Sequence, residues 1–423
     1  MPYVRRDRPS ELSRRSFLGV TAVGGAALAL ASTAPPVRGA TRVDGPPRRI
    51  VPFYGPHQAG IATPAPAQLL FATYDLLPGA TADDLRRLLQ RWSAAAARLA
   101  AGEPSPGDPV PDPAATPRDA NAAAGDDPAA LTLTFGLGPG VFAPERGLAD
   151  RRPAGLAPLP PFRNDALDPA RSGGDLAVQA CAEDPLVVFH AIRVLSSLAD
   201  GVARPRWTQR GFGATTDVRL SGETPRNLQG FKDGTANPRP DEPEFAPTVW
   251  VQDDDEPAWL RGGSFLVVRR IRMDLDRWDT LSVADQERVI GRAKGSGAPL
   301  SGGDEHTPVD LDARGPDGSL LVPANSHVHL TNPARNFGAR MLRRGYSYDD
   351  GWDPMASDGA GRLDAGLFFL AYVRDPVAQF IPMQQRLANA DALNRFVTHV
   401  GSALFAIPPG APDGGYVGQT LLG

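Results

Sequence analysis

Cysteine is nearly missing from this 423-residue chain: Cys181 is the only one. No intramolecular disulfide can form, and no thiolate cluster for zinc or iron–sulfur is available. Positive charge is not in excess, with 44 Lys and Arg against 48 Asp and Glu and a net charge of −4. The basic surface expected of a nucleic-acid-binding protein is therefore lacking. Long apolar runs are missing too, apart from residues 19–31, a stretch too short to cross a bilayer.

That one run is flanked in an informative order. Arg5, Arg6, Arg8, Arg14 and Arg15 precede it and an Ala/Pro-rich stretch follows, the arrangement of a secretory signal peptide. Within SRRSFLG (13–19) the paired arginines stand directly before Ser-Phe-Leu, as in a twin-arginine signal spanning residues 1–40. Passengers of that route cross already folded, often around a cofactor, which suits an exported protein with no disulfide. Residues 1–40 carry a net +4, so their removal would leave a chain near −8, periplasmic or extracellular and not inserted in the membrane.

Glycine and proline are abundant, at 45 and 44 residues, which predicts long irregular connections. The length suggests two domains, here 48–225 and 226–423. Strands are expected at 67–76, 131–138, 175–183 and 207–214, with helices at 81–102 and 184–201 and a long surface loop at 103–130. Thr81 with Asp84 reads as a capping box and Gly102 as a stop. The second half repeats the plan: a strand at 263–275, a helix at 282–297 capped by Ser282, strands at 339–348 and 366–373, a helix at 384–401 and a strand at 403–408. Two β-α-β-β-α-β units mean an α+β protein of two ferredoxin-like domains with antiparallel sheets.

Two segments carry residues suited to chemistry. NLQGFKDGTANP (227–238) must form a tight polar loop, in which Asp233 is followed by Gly234, so its carboxylate can approach a ligand closely; the alternative is a turn aspartate bonded to its own backbone. NSHVHLTNPARNFGARMLRRGYSY (325–348) holds His327 and His329, which share a face in a strand and diverge in a turn. A zinc site would need His306 or the acidic run 253–256 as further ligands, at unfavourable spacing. A haem iron requires a single proximal histidine.

GFKDG (230–234) resembles the GxxDG signature of the dye-decolourising (DyP-type) haem peroxidases. SHVHLTNP followed by MLRRGYSY resembles that family's proximal-histidine segment and distal-arginine strand. Likeness extends through FYGPHQAGI (53–61), LTFGLGPGVF (133–142), DLAVQACAEDP (175–185), WTQRGFG (207–213) and GLFFLAYVRDPVAQFIPMQQRL (366–387). Within the family the chain is most similar to the exported EfeB-like deferrochelatase/peroxidase subgroup.

The resemblance implies two ferredoxin-like domains of the dimeric α/β-barrel type, with one haem b in the C-terminal one. It implies His327 as iron ligand, Asp391 as the carboxylate on its other ring nitrogen, Asp233 as acid–base and Arg343 as the distal cation. Arg343 is preferred to Arg344 from the family's pattern, since alternation puts the two on opposite faces. Phe231 and Gly234 would lie near the haem. One departure stands out: His329 occupies a position where the family usually has an arginine. The implied activity is reduction of hydrogen peroxide with oxidation of dyes, phenols or other bulky reductants. Electrons would have to travel from the surface through Trp or Tyr side chains such as Trp259, Trp352, Tyr346 or Tyr348, each of which can equally be read as core packing. The alternatives are a deferrochelatase that frees iron from haem beside an iron-uptake permease, and a haem carrier without turnover. A homo-oligomer is compatible with either.

Overall fold

Several strands are apolar on both faces, and the computed structural model of the chain shows both faces covered. It describes residues 49–103, 122–123, 127–215, 218, 222–354 and 361–423; the expected leader and most of the expected 103–130 loop lie outside them. The residues from Pro47 to Gly423 form one compact unit.

In the first half, β1 (Gln68–Leu76) leads into α1 (Ala82–Ala100), then β2 (Thr132–Leu137), β3 (Leu176–Ala182), α2 (Pro185–Leu198) and β4 (Ala203–Phe212). α1 starts at the expected capping box: the Asp84 N–H donates to Thr81 Oγ1 (3.1 Å) and the Thr81 N–H to Asp84 Oδ2 (3.0 Å). Its buried stripe includes Leu85, Leu88, Leu89, Trp92 and Leu99, and Gly102 follows with φ +74°. β4 begins four residues before the expected strand. The sheet order β2-β3-β1-β4 is that of a ferredoxin-like unit.

The second half runs β5 (Ser264–Met273), α3 (Val283–Ile290), α4 (His327–Thr331), β6 (Leu342–Arg343), β7 (Tyr346–Asp353), β8 (Arg362–Val373), α5 (Phe380–Ala390) and β9 (Val397–Ile407). Its order, β9-β5-β8-β7, repeats the first. Three expectations are corrected. α3 ends at Ile290, not 297, because Gly291 takes φ +98° and turns the chain. The helix expected at 384–401 begins at Phe380 and stops at Ala390, and β-branched Val397, Thr398 and Val400 belong to β9. The strand expected at 339–348 breaks at Arg344-Gly345 into β6 and β7, both on the same edge of β8.

The two sheets also join. Leu137 of β2 pairs with Ala406 of β9, and Phe212 of β4 with Ser347 of β7, closing the strands into a ring. Its inside is an aromatic core: the rings of Phe71, Phe368 and Phe405 meet at 5.4 and 6.2 Å, with Tyr346, Tyr348 and Tyr372 buried beside them. Outside, one core runs beneath α1, α2 and α5, so Leu88 and Trp92 share it with Val267 and Met383. A small separate cluster of Phe231, Trp278, Ile290 and Phe396 underlies the loops of the second half.

Candidate active site

The loop around Asp233 is pinned at many points. Arg226 donates to the carbonyls of Gly230 (2.7 Å), Lys294 (2.6 Å) and Gly295 (2.8 Å). Asn227 Oδ1 accepts from the N–H groups of Gln229 and Phe231 at 3.1 and 3.3 Å, an Asx-type turn. Phe231 is the loop's apolar anchor: its ring is buried edge-on to Trp278 at 6.0 Å, with the Lys294 ammonium over its face. It does not line the cavity that Asp233 lines. Gly234 has φ +123°, and an added Cβ would make only an ordinary van der Waals contact with Thr224 Cγ2 at 3.8 Å, so backbone conformation is what requires glycine there.

Asp233, on this loop, meets Arg343, on β6, at 2.8 Å from Oδ1 to Nη1; both side chains are partly open to solvent. They line a cavity of about 450 Å³ together with Gly234, Asn237, Leu367 and Phe369. That volume suits a small-molecule site. Arg344 also lines this cavity, but its guanidinium is engaged by the carbonyls of Ile61, Thr63 and Pro64 rather than by Asp233.

His327 opens α4 behind its N-cap Ser326. Its Nδ1 lies 2.7 Å from Oδ2 of Asp391. Asp391 is no helix-surface residue: its side chain is 4% exposed, and its other oxygen caps the following turn by accepting from the Leu393 N–H at 2.9 Å. A carboxylate at Nδ1 holds the proton there and leaves Nε2 a bare donor for a metal. The His327 side chain is 32% exposed, so its far edge opens outward. Burial pushes the His327 pKa down, but the Asp391 carboxylate outweighs it and the net shift is upward; Arg343 and Asp233 also lie close enough to act on its charge. The pair thus lies within electrostatic reach of His327, although the cavity that Asp233 and Arg343 line is not lined by His327.

His329 diverges from His327 because the segment is helical. It is buried, and burial, then Arg335, lower its pKa against a hydrogen bond with the Val322 backbone, while its Nδ1 has no hydrogen-bond partner. Of the four aromatics considered for electron entry, Trp259, Tyr346 and Tyr348 are buried and Trp352 is exposed. His306 lines the same cavity as Asp233 rather than a metal cluster.

Two residues escaped sequence reading. Glu305 pairs with Lys232 and accepts from Thr235 Oγ1 at 3.1 Å, bracing the loop on both sides of Asp233. Burial raises its pKa, yet hydrogen bonds from Lys232, Thr224 and Thr235 bring it down to about 2. Asn237 binds the backbone of Arg343. Nothing in local sequence marks Glu305, because its partners lie about 70 residues away. The nearness of Asn237 to Asp233 was the only available hint.

Comparison with known proteins identifies the family. Residues 58–213 match the model "Dyp-type peroxidase, N-terminal" and residues 224–412 the model "Dyp-type peroxidase, C-terminal". A dye-decolorizing peroxidase of Thermobifida fusca is 46% identical over 375 residues, 86% of this chain and 83% of the relative. A deferrochelatase of Escherichia coli is 37% identical over the whole of both chains. Among solved structures, a DyP-type peroxidase from Streptomyces coelicolor superposes with a TM-score of 0.82 at 45% identity, covering 89% of this chain and 97% of that one. One from Cellulomonas bogoriensis gives 0.80 at 42% identity, covering 89% and 99%. With both domain models matched in order across most of its length, the chain belongs to the Dyp-type peroxidase family.

Proposed function

We propose that this protein is an exported haem peroxidase that reduces hydrogen peroxide at the Asp233–Arg343 pair and oxidises bulky dyes or phenols. The observation that carries the reading is the presence of two hydrogen-bonded pairs, His327–Asp391 and Asp233–Arg343, with the second within electrostatic reach of the first. These residues fit a haem: a bare imidazole nitrogen held by a carboxylate, a cavity of about 450 Å³ with apolar Leu367 and Phe369 in its wall, and an acid–base beside a cation. His327 would hold the iron, which supplies the redox chemistry. Asp233 takes the proton from the inner oxygen of peroxide and returns it to the outer one, so that the leaving group departs as water. Arg343 holds the peroxide and offsets the charge developing on the departing oxygen.

Purified protein should show a Soret band that His327→Ala abolishes. Asp233→Asn should keep the band and lose at least about 100-fold in the rate with peroxide; an unaltered rate would remove Asp233 from the proton step. The twin-arginine reading belongs here as well. Arg14→Lys with Arg15→Lys should strand the protein in the cytoplasm, as cell fractionation would record.

The end-to-end likeness to the Escherichia coli deferrochelatase supports a second reading, iron release from haem with the porphyrin intact. Fluorescent protoporphyrin accumulating on incubation with haem would favour it over peroxide turnover.

A further inference from the structure

We infer that Asn237 is the residue that sets the position of Asp233 relative to Arg343. The inference rests on the reading of those two as the working pair.

The pair comes from segments 110 residues apart, and its ion pair joins groups that are 28% and 31% exposed. Such a contact exerts little hold of its own. Asn237 supplies the constraint. Its Nδ2 donates to the Arg343 carbonyl at 2.7 Å, and its Oδ1 accepts from the Arg343 N–H at 3.2 Å. The carboxamide thus exchanges two hydrogen bonds with one residue, as a neighbouring strand does in an antiparallel pair, and completes the free edge of β6. On its own segment the Asn237 N–H donates to the Gly234 carbonyl at 2.9 Å, closing the turn that carries Asp233. Asp233 is in turn tied back by its N–H to the Pro225 carbonyl at 2.8 Å. Loop, amide and strand form a closed ring whose last link is the Asp233–Arg343 contact.

Only a carboxamide of this length suits the position. Ionised aspartate can accept from the N–H but faces the carbonyl with negative charge, alanine does neither, and glutamine is one methylene too long. Glu305 braces the same loop through Lys232 and Thr235 but makes no contact with β6. Asn237 is therefore a positioning residue: it acts through Asp233 and Arg343.

The test uses haem-loaded Asn237→Ala and Asn237→Asp, each with Arg343 present and with Arg343→Ala. The rate with peroxide is followed by stopped flow, and haem-free crystals of each variant are compared. Asn237→Ala should lose about 100-fold in the peroxide rate, the scale of a misplacement near 1 Å, with its Soret band and its KM for dye unchanged. In the Arg343→Ala background the same substitution should cost almost nothing, because the geometry it protects is already gone. Asn237→Asp should recover relative to the native enzyme as the pH falls and its carboxyl regains a donor. If Asn237→Ala does not fold, that pH-dependent recovery within Asn237→Asp carries the test. In haem-free crystals of Asn237→Ala the Asp233–Arg343 contact should open beyond 4 Å. Equal losses with and without Arg343, or a retained contact in the crystals, would overturn the inference. Native turnover by Asp233→Asn or Arg343→Ala would instead sink the reading of the pair, while the crystals would still report on Asn237.

Discussion

Asp391 uses its two oxygens for different ends: one caps a turn, the other orients His327. Asp391→Ala should weaken haem binding about 10–100-fold and raise the iron midpoint potential, as haem titration and spectroelectrochemistry would show. The pH dependence follows from the raised His327 pKa. Protonation of Nε2 competes with the metal, so haem retention should weaken on acidification from above pH 6.5, and Asp391→Ala should move that loss to lower pH. The haem-free protein should behave oppositely. A raised folded-state pKa stabilises fully below 6.5, and the gain is lost as pH rises through it. Glu305 has the other sign. Its depressed pKa, about 2, stabilises above the ordinary value of 4.5, and the gain disappears as pH falls toward 2. Glu305→Gln should cost about 2 kcal/mol near neutrality, since it leaves Lys232 half-buried without a counter-charge. Melting curves of the two proteins should converge near pH 2.

At the scale of elements, the site is assembled from chain breaks. α3 ends at Gly291, where an added Cβ would come within 2.9 Å of Ser326 Oγ and 3.1 Å of Val328. Ser326 caps the helix that carries His327, so the end of one helix sets the start of the next. Gly291→Ala combines a left-handed backbone with that clash. It should cost at least about 1–2 kcal/mol and lower haem occupancy, measurable by thermal melts and the Soret-to-280 nm ratio. At the break at Arg344-Gly345 the two arginines take different partners, Arg343 meeting Asp233 and Arg344 the carbonyls of Ile61 and Thr63. Alternation predicted that the two would diverge; the carbonyl cage taking Arg344 comes from the other half of the molecule and leaves no local mark. The end of α3 was marked locally by Gly291, which the helical reading ran through, whereas α5 stops before Asp391, whose side chain turns to His327 and caps the next turn.

For the whole molecule, the two halves are stitched by more than their strand bridges. Buried Arg269 of β5 pairs with Asp165 of the first half, and His57 stacks on Trp250 at 3.8 Å, with its Nδ1 2.7 Å from the Gly262 carbonyl. Both large apolar clusters draw on both halves. Haem-free protein should therefore unfold in one transition, with tryptophan fluorescence and far-ultraviolet circular dichroism coinciding; two separated transitions would show the halves to be independent.

The amino-acid order by itself carried the duplicated β-α-β-β-α-β plan and the capping of α1, and its resemblance to a known family pointed to His327, Asp391, Asp233 and Arg343. Periodicity, caps and short motifs are properties of neighbours along the chain. Tertiary structure alone decided that two sheets close into a single ring, that Phe231 anchors a loop, and that Glu305 and Asn237 hold the acid in place. Those outcomes depend on edge pairing, burial and hydrogen bonds between residues roughly 50 to 270 positions apart, where no local pattern reaches.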